Sequence, residues 1–272
     1  MDINLRKVIE QKSPGFFNVL PGPLSTAVLL FLERVNRLGE VKAFMDRNAG
    51  RRNWEFIDAV FEYLDFRCLV SDEDIARIPA KGKLICVANH RLGALDGLSL
   101  LKIIGTVRKD VKIVVNDILM PLENMRDMFL FYDLYSTTLQ KTNIQKIHSA
   151  LSEENAVIFF PAGTVAKLTS RGVRELPWRN GPALFARKYG APVLPMYVDA
   201  HSSLLYYLVS LINPELSSLF LSQAIFCKRS KSISVKIGEV IHKEELESMG
   251  RDAAAQTEFL REHVFRLGKG KG

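Results

Sequence analysis

His90 and Asp96 have the types and the spacing of an acid–base pair, with five residues between them in the run Asn89-His90-Arg91-Leu92-Gly93-Ala94-Leu95-Asp96-Gly97. A neutral imidazole takes a proton from a hydroxyl, and a carboxylate bonded to its other ring nitrogen fixes the tautomer and steadies the imidazolium that forms. Five intervening residues exceed one helical turn, so the side chains meet only if the backbone folds back, and Gly93 supplies the freedom for that. The same run also suits a purely structural role, in which Asn89 and Asp96 cap and turn a loop and His90 packs beside them. A second candidate is Phe160-Pro161-Ala162-Gly163-Thr164. Downstream of it Lys167, Arg171, Arg174, Arg179, Arg187 and Lys188 stand against a single acid, Glu175. A glycine turn followed by cations is a grip for a phosphate or a carboxylate, with Gly163 allowing close backbone approach. The alternative is a solvated helix face, which is the reading for Arg187 and Lys188.

The elements that must position these residues follow from the flanking sequence. KLICV precedes the first candidate and NAVIFF leads into the second; with RCLV, VKIVV, APVLPMYV and SISVKIG they read as β-strands. Several are nearly continuous in Val, Ile and Leu, as in strands covered on both faces by helices. GLSLLKIIG, PLENMRDMFLF, NIQKIHSALSEE and GPALFARKYG read as the helical segments between them. The expected fold is α/β, a central and mostly parallel sheet flanked by helices, in which ligands collect at the carboxyl ends of the strands. Residues 1–66 read as an N-terminal helical extension, INLRKVIEQK, STAVLLFLERVNRLGEVKAFM and NWEFIDAVFEYLDF, that contacts a membrane surface. Residues 67–272 read as the α/β domain, ending in one surface helix, EELESMGRDAAAQTEFLREHVFRL, and a solvated GKGKG tail.

Composition narrows the partners. The 272 residues are 47% hydrophobic and 25% charged, the balance of a globular protein with a real core. Lys and Arg number 37 against 30 Asp and Glu, a net charge of +7, which favours phosphate groups, an anionic bilayer or an acidic carrier protein. Cys68, Cys86 and Cys227 form no CxxC pair, which argues for a reducing compartment and against a disulfide framework or cysteine-rich zinc site. His148, His201, His242 and His263 match no metal-ligand spacing, so no metal is expected.

Mean hydropathy is +0.05, and two runs lack Lys and Arg. The first, 15–32, is divided by Pro21-Gly22-Pro23, and its apolar remainder at 24–32 is about half of the roughly 20 residues a spanning helix needs. The second, 201–226, breaks at Asn213-Pro214-Glu215 into two short apolar helices. The N-terminus shows no signal-peptide pattern. The protein is thus expected to lie on the cytoplasmic face of the cell membrane without crossing it. No GxSxG elbow, phosphate-binding GxxxxGK[ST] loop or GxGxxG run occurs, and the basic residues are not interleaved with aromatics as in a nucleic-acid module.

Taken together and in this order, NHRLGALDG, FFPAGTVAK and VLPMYV resemble the glycerolipid acyltransferases, enzymes that acylate glycerol phosphate and lysophosphatidic acid; the likeness covers residues 83–198. Family members carry an Asn-His followed by an Asp, a Phe-Pro-Glu-Gly-Thr block and a Val-Pro-Val-type strand. Here these correspond to Asn89-His90 with Asp96, to Phe160 through Thr164, and to Leu194 through Tyr197. Two departures, a five-residue His-to-Asp gap in place of four and Ala162 in place of glutamate, resemble a bacterial hemolysin-like subgroup of lyso-aminolipid acyltransferases. The WRNGPALFARKYGAPVLP stretch and the N-terminal helices are similar to that subgroup as well.

The resemblance implies transfer of a fatty acyl group from an acyl-carrier-protein or coenzyme A thioester to a lysolipid hydroxyl, with no cofactor. His90 would be the general base and Asp96 its orienting partner, and backbone N–H groups near Gly163 and Thr164 would meet the oxyanion. The implied substrate-binding residues are Asn89, Arg91, Gly93, Lys141, Phe160, Pro161, Gly163, Thr164, Lys167, Arg171 and Arg174. The family's Arg-bearing block for the acceptor phosphate has no Arg counterpart in residues 131–143, where Lys141 is the only cation. An ornithine- or glycine-type lysolipid, which carries a carboxylate, is therefore at least as fitting as lysophosphatidic acid. Two other readings remain: a silent lipid-binding scaffold, if the longer loop draws Asp96 away from His90, and a hydrolase in which His90 activates water on an acyl ester.

Overall fold

Branched and aromatic runs form the strands. These are β1 (Arg67–Leu69), β2 (Leu84–Ala88), β3 (Val111–Asn116), β4 (Phe129–Tyr132), β5 (Ala156–Phe159), the short pair β6 (Lys167–Thr169) and β7 (Gly172–Arg174), β8 (Val193–Asp199) and β9 (Ser232–Ile237). The structure, a computed structural model, describes residues 5–12, 15–18, 22–116, 119–132, 137–214, 216–250 and 252–269, apart from the side chains at 7–8, 11–12 and 137–142. Among the described residues one seven-stranded sheet runs in the order β1-β9-β8-β2-β5-β3-β4, and β6 and β7 make a separate antiparallel hairpin. Every neighbouring pair in the large sheet is parallel except β8 with β9.

β2 lies in the middle, with Ile85 opposite Val157 on one side and Val193 on the other. All five of its residues are 0% exposed, because both faces are covered. Leu84, Cys86 and Ala88 point into a core shared with α4 (Asn53–Leu64) and α6 (Ala94–Ile104), through Phe56, Phe61, Leu100 and Ile104. Ile85 and Val87 point the other way, toward α7 (Thr137–Ser152), α8 (Gly181–Tyr189) and α12 (Ala253–Lys269), through Ile147, Ala183 and Val264. Each fully buried Leu, Ile or Val contributes about 1.5–3 kcal/mol, so the strand that leads to His90 is firmly held.

A third cluster joins α1 (Leu5–Lys12), α2 (Gly22–Val35) and α9 (Leu204–Ile212) through Leu5, Ile9, Leu32, Tyr206 and Tyr207. The outer faces of α2 and α9 stay uncovered: Leu24, Leu30, Phe31, Leu208 and Leu211 are exposed, and Leu204 and Ile212 reach 72% and 87%. No described helix, the short α5 (Asp72–Ala76) and α10 (Leu221–Phe226) included, is long and apolar enough to cross a membrane.

Four local expectations change. The helix read through residues 25–45 breaks into α2 and α3 (Leu38–Arg47), because the Asn36 side chain donates to Leu32 O at 2.9 Å and Arg37 takes a left-handed φ of 52°. PLENMRDMFLF is a short 3₁₀ turn followed by β4, since Phe129 and Phe131 pair along β3. The C-terminal helix is two, α11 (Lys243–Ser248) and α12, divided where Gly250 adopts φ +87°. Gly268 belongs to α12 and not to a solvated tail: a Cβ there would meet the Tyr197 ring at 2.4 Å, so only glycine allows the helix to pack so closely on β8. Residues 270–272 lie outside the described residues.

Candidate active site

The site forms where β2 ends. Asn89 is fully buried and turned toward β8, where its carboxamide donates to Val198 O at 2.9 Å and accepts from Val198 N at 2.7 Å. Both of its polar ends are committed to the neighbouring strand, so Asn89 clamps the loop and does not face a substrate. His90 follows, free to point outward. Gly93, at φ 73° and ψ −126°, then reverses the backbone into α6, which places Asp96 in the first helical turn. A Cβ at Gly93 would lie 3.4 Å from Leu221 and 3.5 Å from Val165, ordinary contacts, so it is the backbone conformation that calls for glycine here.

This reversal spans the five-residue gap. His90 Nδ1 lies 2.9 Å from Asp96 Oδ2, and the same oxygen accepts the backbone N–H groups of Arg91 at 2.6 Å and Leu92 at 2.7 Å. Asp96 is 0% exposed; the three donors and the N-terminal end of α6 favour its charge at Oδ2, whereas Oδ1 is buried without a hydrogen-bond partner among the described residues. A carboxylate accepts only, which assigns the proton to Nδ1 and leaves the lone pair on Nε2. The imidazole stacks on Phe160, with ring centroids 4.2 Å apart and planes 19° from parallel. Two cysteines close by are poor nucleophiles. Burial pushes the Cys86 thiol in β2 up to about 12 and that of Cys68 to about 11.

Phe160 begins the second predicted block, and the structure brings that block against the first. Gly163, at φ +69°, closes a turn in which its N–H donates to Phe160 O at 2.9 Å. That N–H is therefore occupied, which corrects the expectation that it meets an oxyanion. Pro161 O accepts from Arg179 N at 3.0 Å, and the side chain of Arg179 passes over the turn, its Nε 3.5 Å from where a Gly163 Cβ would stand. Among the described residues, Thr164 Oγ1 and Arg91 Nε are buried atoms without a hydrogen-bond partner, which leaves both able to serve a bound ligand. Lys167 starts the β6–β7 hairpin, half-buried, whereas Arg171 and Arg174 are exposed at its turn and end. The Lys141 side chain lies outside the described residues.

Two residues near the site, both in the run of cations noted in the sequence, lie outside the implied substrate-binding set. One is Arg179. The other is Glu175, whose Oε1 accepts the His90 backbone N–H at 2.5 Å and whose Oε2 accepts the Trp178 indole N–H at 3.0 Å. Burial pushes the Glu175 carboxyl above the usual glutamate range, against the pull of those hydrogen bonds and of nearby His90 and Arg91. Its signal in the sequence was only that it is the lone acid in a run of cations.

The sequence matches the family described as Acyltransferase over residues 7–270. Two curated relatives are each named lyso-glycine lipid O-acyltransferase. The one from Bacteroides thetaiotaomicron is 23% identical over 97% of both proteins. The one from Phocaeicola vulgatus is 23% identical over 97% of this protein and 95% of the relative. Among solved structures, the crystal structure of the 1-acyl-sn-glycerophosphate (LPA) acyltransferase PlsC from Thermotoga maritima superposes with a TM-score of 0.50. The match covers 89% of this protein and 97% of PlsC at 16% identity, a likeness of fold: the α/β architecture with a mostly parallel sheet. A match to the family over nearly the whole length establishes that the protein belongs to this acyltransferase family and is an acyltransferase.

Proposed function

We propose that the enzyme moves a fatty acyl group from a thioester, borne by acyl carrier protein or coenzyme A, to the hydroxyl of a lysolipid, with His90 as general base and Asp96 as its orienting partner. The observation that carries this reading is the His90 Nδ1 to Asp96 Oδ2 bond at the end of the central strand, which leaves Nε2 to receive a proton. In the step, the acceptor O–H gives its proton to Nε2 as its oxygen bonds to the thioester carbonyl carbon. The C–S bond then breaks and the thiolate leaves with the proton from the imidazolium. Thr164 and Arg91, whose buried polar atoms have no partner among the described residues, are the groups that meet the charge on the tetrahedral oxygen or the acceptor head group. The acceptor is a lyso-glycine-type lipid with a carboxylate; the names of the two relatives support this, as does the absence of Arg from residues 131–143.

A lysolipid resides in a bilayer, and the exposed leucines of α2 and α9 support an enzyme resting on the cytoplasmic membrane surface. Replacing Leu204 and Ile212 together by Asp is expected to weaken sedimentation with anionic vesicles; undiminished binding would remove α9 from that contact.

The experiment that tests the reaction combines purified enzyme, acyl-carrier-protein and coenzyme A thioesters, and a panel of acceptors: glycerol 3-phosphate, lysophosphatidic acid, lyso-ornithine lipid and lyso-glycine lipid. Product is expected with the lyso-glycine lipid, and His90→Ala is expected to lower kcat by about 10²–10⁴. Unaltered turnover in His90→Ala, or product with the phosphate acceptors alone, would overturn the corresponding half of the proposal.

A further inference from the structure

Glu175 belongs to neither half of the His90–Asp96 pair, yet it is bonded to the same histidine. Its two oxygens serve two donors, the His90 backbone N–H and the Trp178 indole N–H, and neither of those can accept. The ionised carboxylate is therefore the form that satisfies both, although burial works against that charge. On the other side of His90, its backbone carbonyl accepts from Ala166 N at 2.8 Å. Both backbone polar groups of His90 are thus bonded to one segment, which runs from Ala166 through the β6–β7 hairpin to Glu175. That segment begins just beyond Phe160, on which the imidazole stacks.

The two carboxylates divide the work of placing the ring. Asp96 holds Nδ1 and so fixes the tautomer and the turn of the ring. The bond from Glu175 acts one level deeper, on the backbone from which the imidazole projects. We infer that Glu175 is a positioning residue of the acyl-transfer site, holding the His90 backbone so that Nε2 reaches the acceptor hydroxyl. The inference rests on His90 being the base. A base displaced by about 1 Å can lose about 10² in rate without any change in its chemistry, so the bond acts on turnover more than on substrate binding.

Wild type, Glu175→Ala, Glu175→Asp, Glu175→Gln and His90→Ala are compared by thermal midpoint and by steady-state acyl transfer. Glu175→Ala is expected to lower kcat about 10- to 100-fold while KM for both substrates stays within about threefold. Glu175→Gln keeps an oxygen for the His90 N–H and is expected to recover kcat to within about fivefold of wild type. Glu175→Asp keeps the charge but withdraws it by one methylene, and an intermediate loss is expected. Wild-type kcat in Glu175→Ala overturns the inference, as does an equal loss in Ala and Gln variants that are both folded. If Glu175→Ala does not fold, the Asp variant decides, and wild-type kcat there overturns it. Wild-type transfer in every Glu175 variant with an inactive His90→Ala protein removes Glu175 alone; an active His90→Ala protein removes the reading of the reaction itself.

Discussion

The loop at 89–97 and the segment at 160–179 hold the same histidine by opposite means. The loop is local: a reversal at Gly93 brings Asp96, six residues from His90, onto its ring through one turn of α6, and Asn89 only ties the base of the loop to β8. The segment is remote. Glu175 lies 85 residues from His90 in the sequence and meets it only because β2 and β5 are neighbours in the sheet. A local device tolerates little change in spacing, since each added residue must be absorbed by the backbone, and here Gly93 absorbs it. A remote device depends on the whole sheet to bring its parts together. The loop therefore tunes the ring, whereas the segment ties the ring to the rest of the fold.

Substitutions in each region sharpen this contrast. The largest effect belongs to Asp96→Asn, which keeps the size but removes the charge that holds the Nδ1–H tautomer; kcat is expected to fall about 10²–10⁴ with folding retained. A loss under tenfold in steady-state assays would mean that the loop does not orient the ring. Next comes Gly93→Ala. Its φ of 73° and ψ of −126° suit glycine alone, while a Cβ would only touch Leu221 and Val165, so the cost lies in the backbone. A cost of about 1–3 kcal/mol is expected in denaturant unfolding, together with reduced turnover. An unchanged midpoint would show that the reversal is less constrained than its geometry requires.

The smallest effect is one of pH on the remote carboxylate. The folded-state pKa of Glu175 is raised, so its contribution to stability is fully present below the unfolded glutamate value and is lost as pH rises through the folded value. Glutamine has no such dependence. The thermal midpoint of wild type relative to Glu175→Gln is therefore expected to decline as pH rises from about 4.5 upward. A midpoint difference that instead grows with pH would mean that the His90 and Trp178 donors outweigh burial and hold the Glu175 carboxyl below its unfolded value.

Much of this was legible in residue order. The buried strands announced themselves as Val/Ile/Leu runs, because strands covered on both faces leave little choice of residue type, and the ends of two of them, KLICV and NAVIFF, marked the candidate blocks. Other features were not. Phe129–Phe131 reads as the end of a helix until β3 is beside it, and the helix break at Asn36 depends on a side-chain bond back to Leu32. Asn89 next to a histidine has the look of a substrate ligand, and only the approach of Val198 reveals it as a clamp between strands.

By itself the sequence determined the alternation of strands and helices, the histidine at a strand end and the acid within reach of it through a glycine, since these follow from local periodicity and backbone freedom. The tertiary structure alone decided which polar atoms are already satisfied. It occupied the Gly163 N–H within its own turn, turned Asn89 inward, and brought Glu175 out of a run of cations onto the backbone of His90. The physical reason is that a hydrogen bond depends on distance and direction in space, and between residues far apart in sequence these are set by the packing of the sheet.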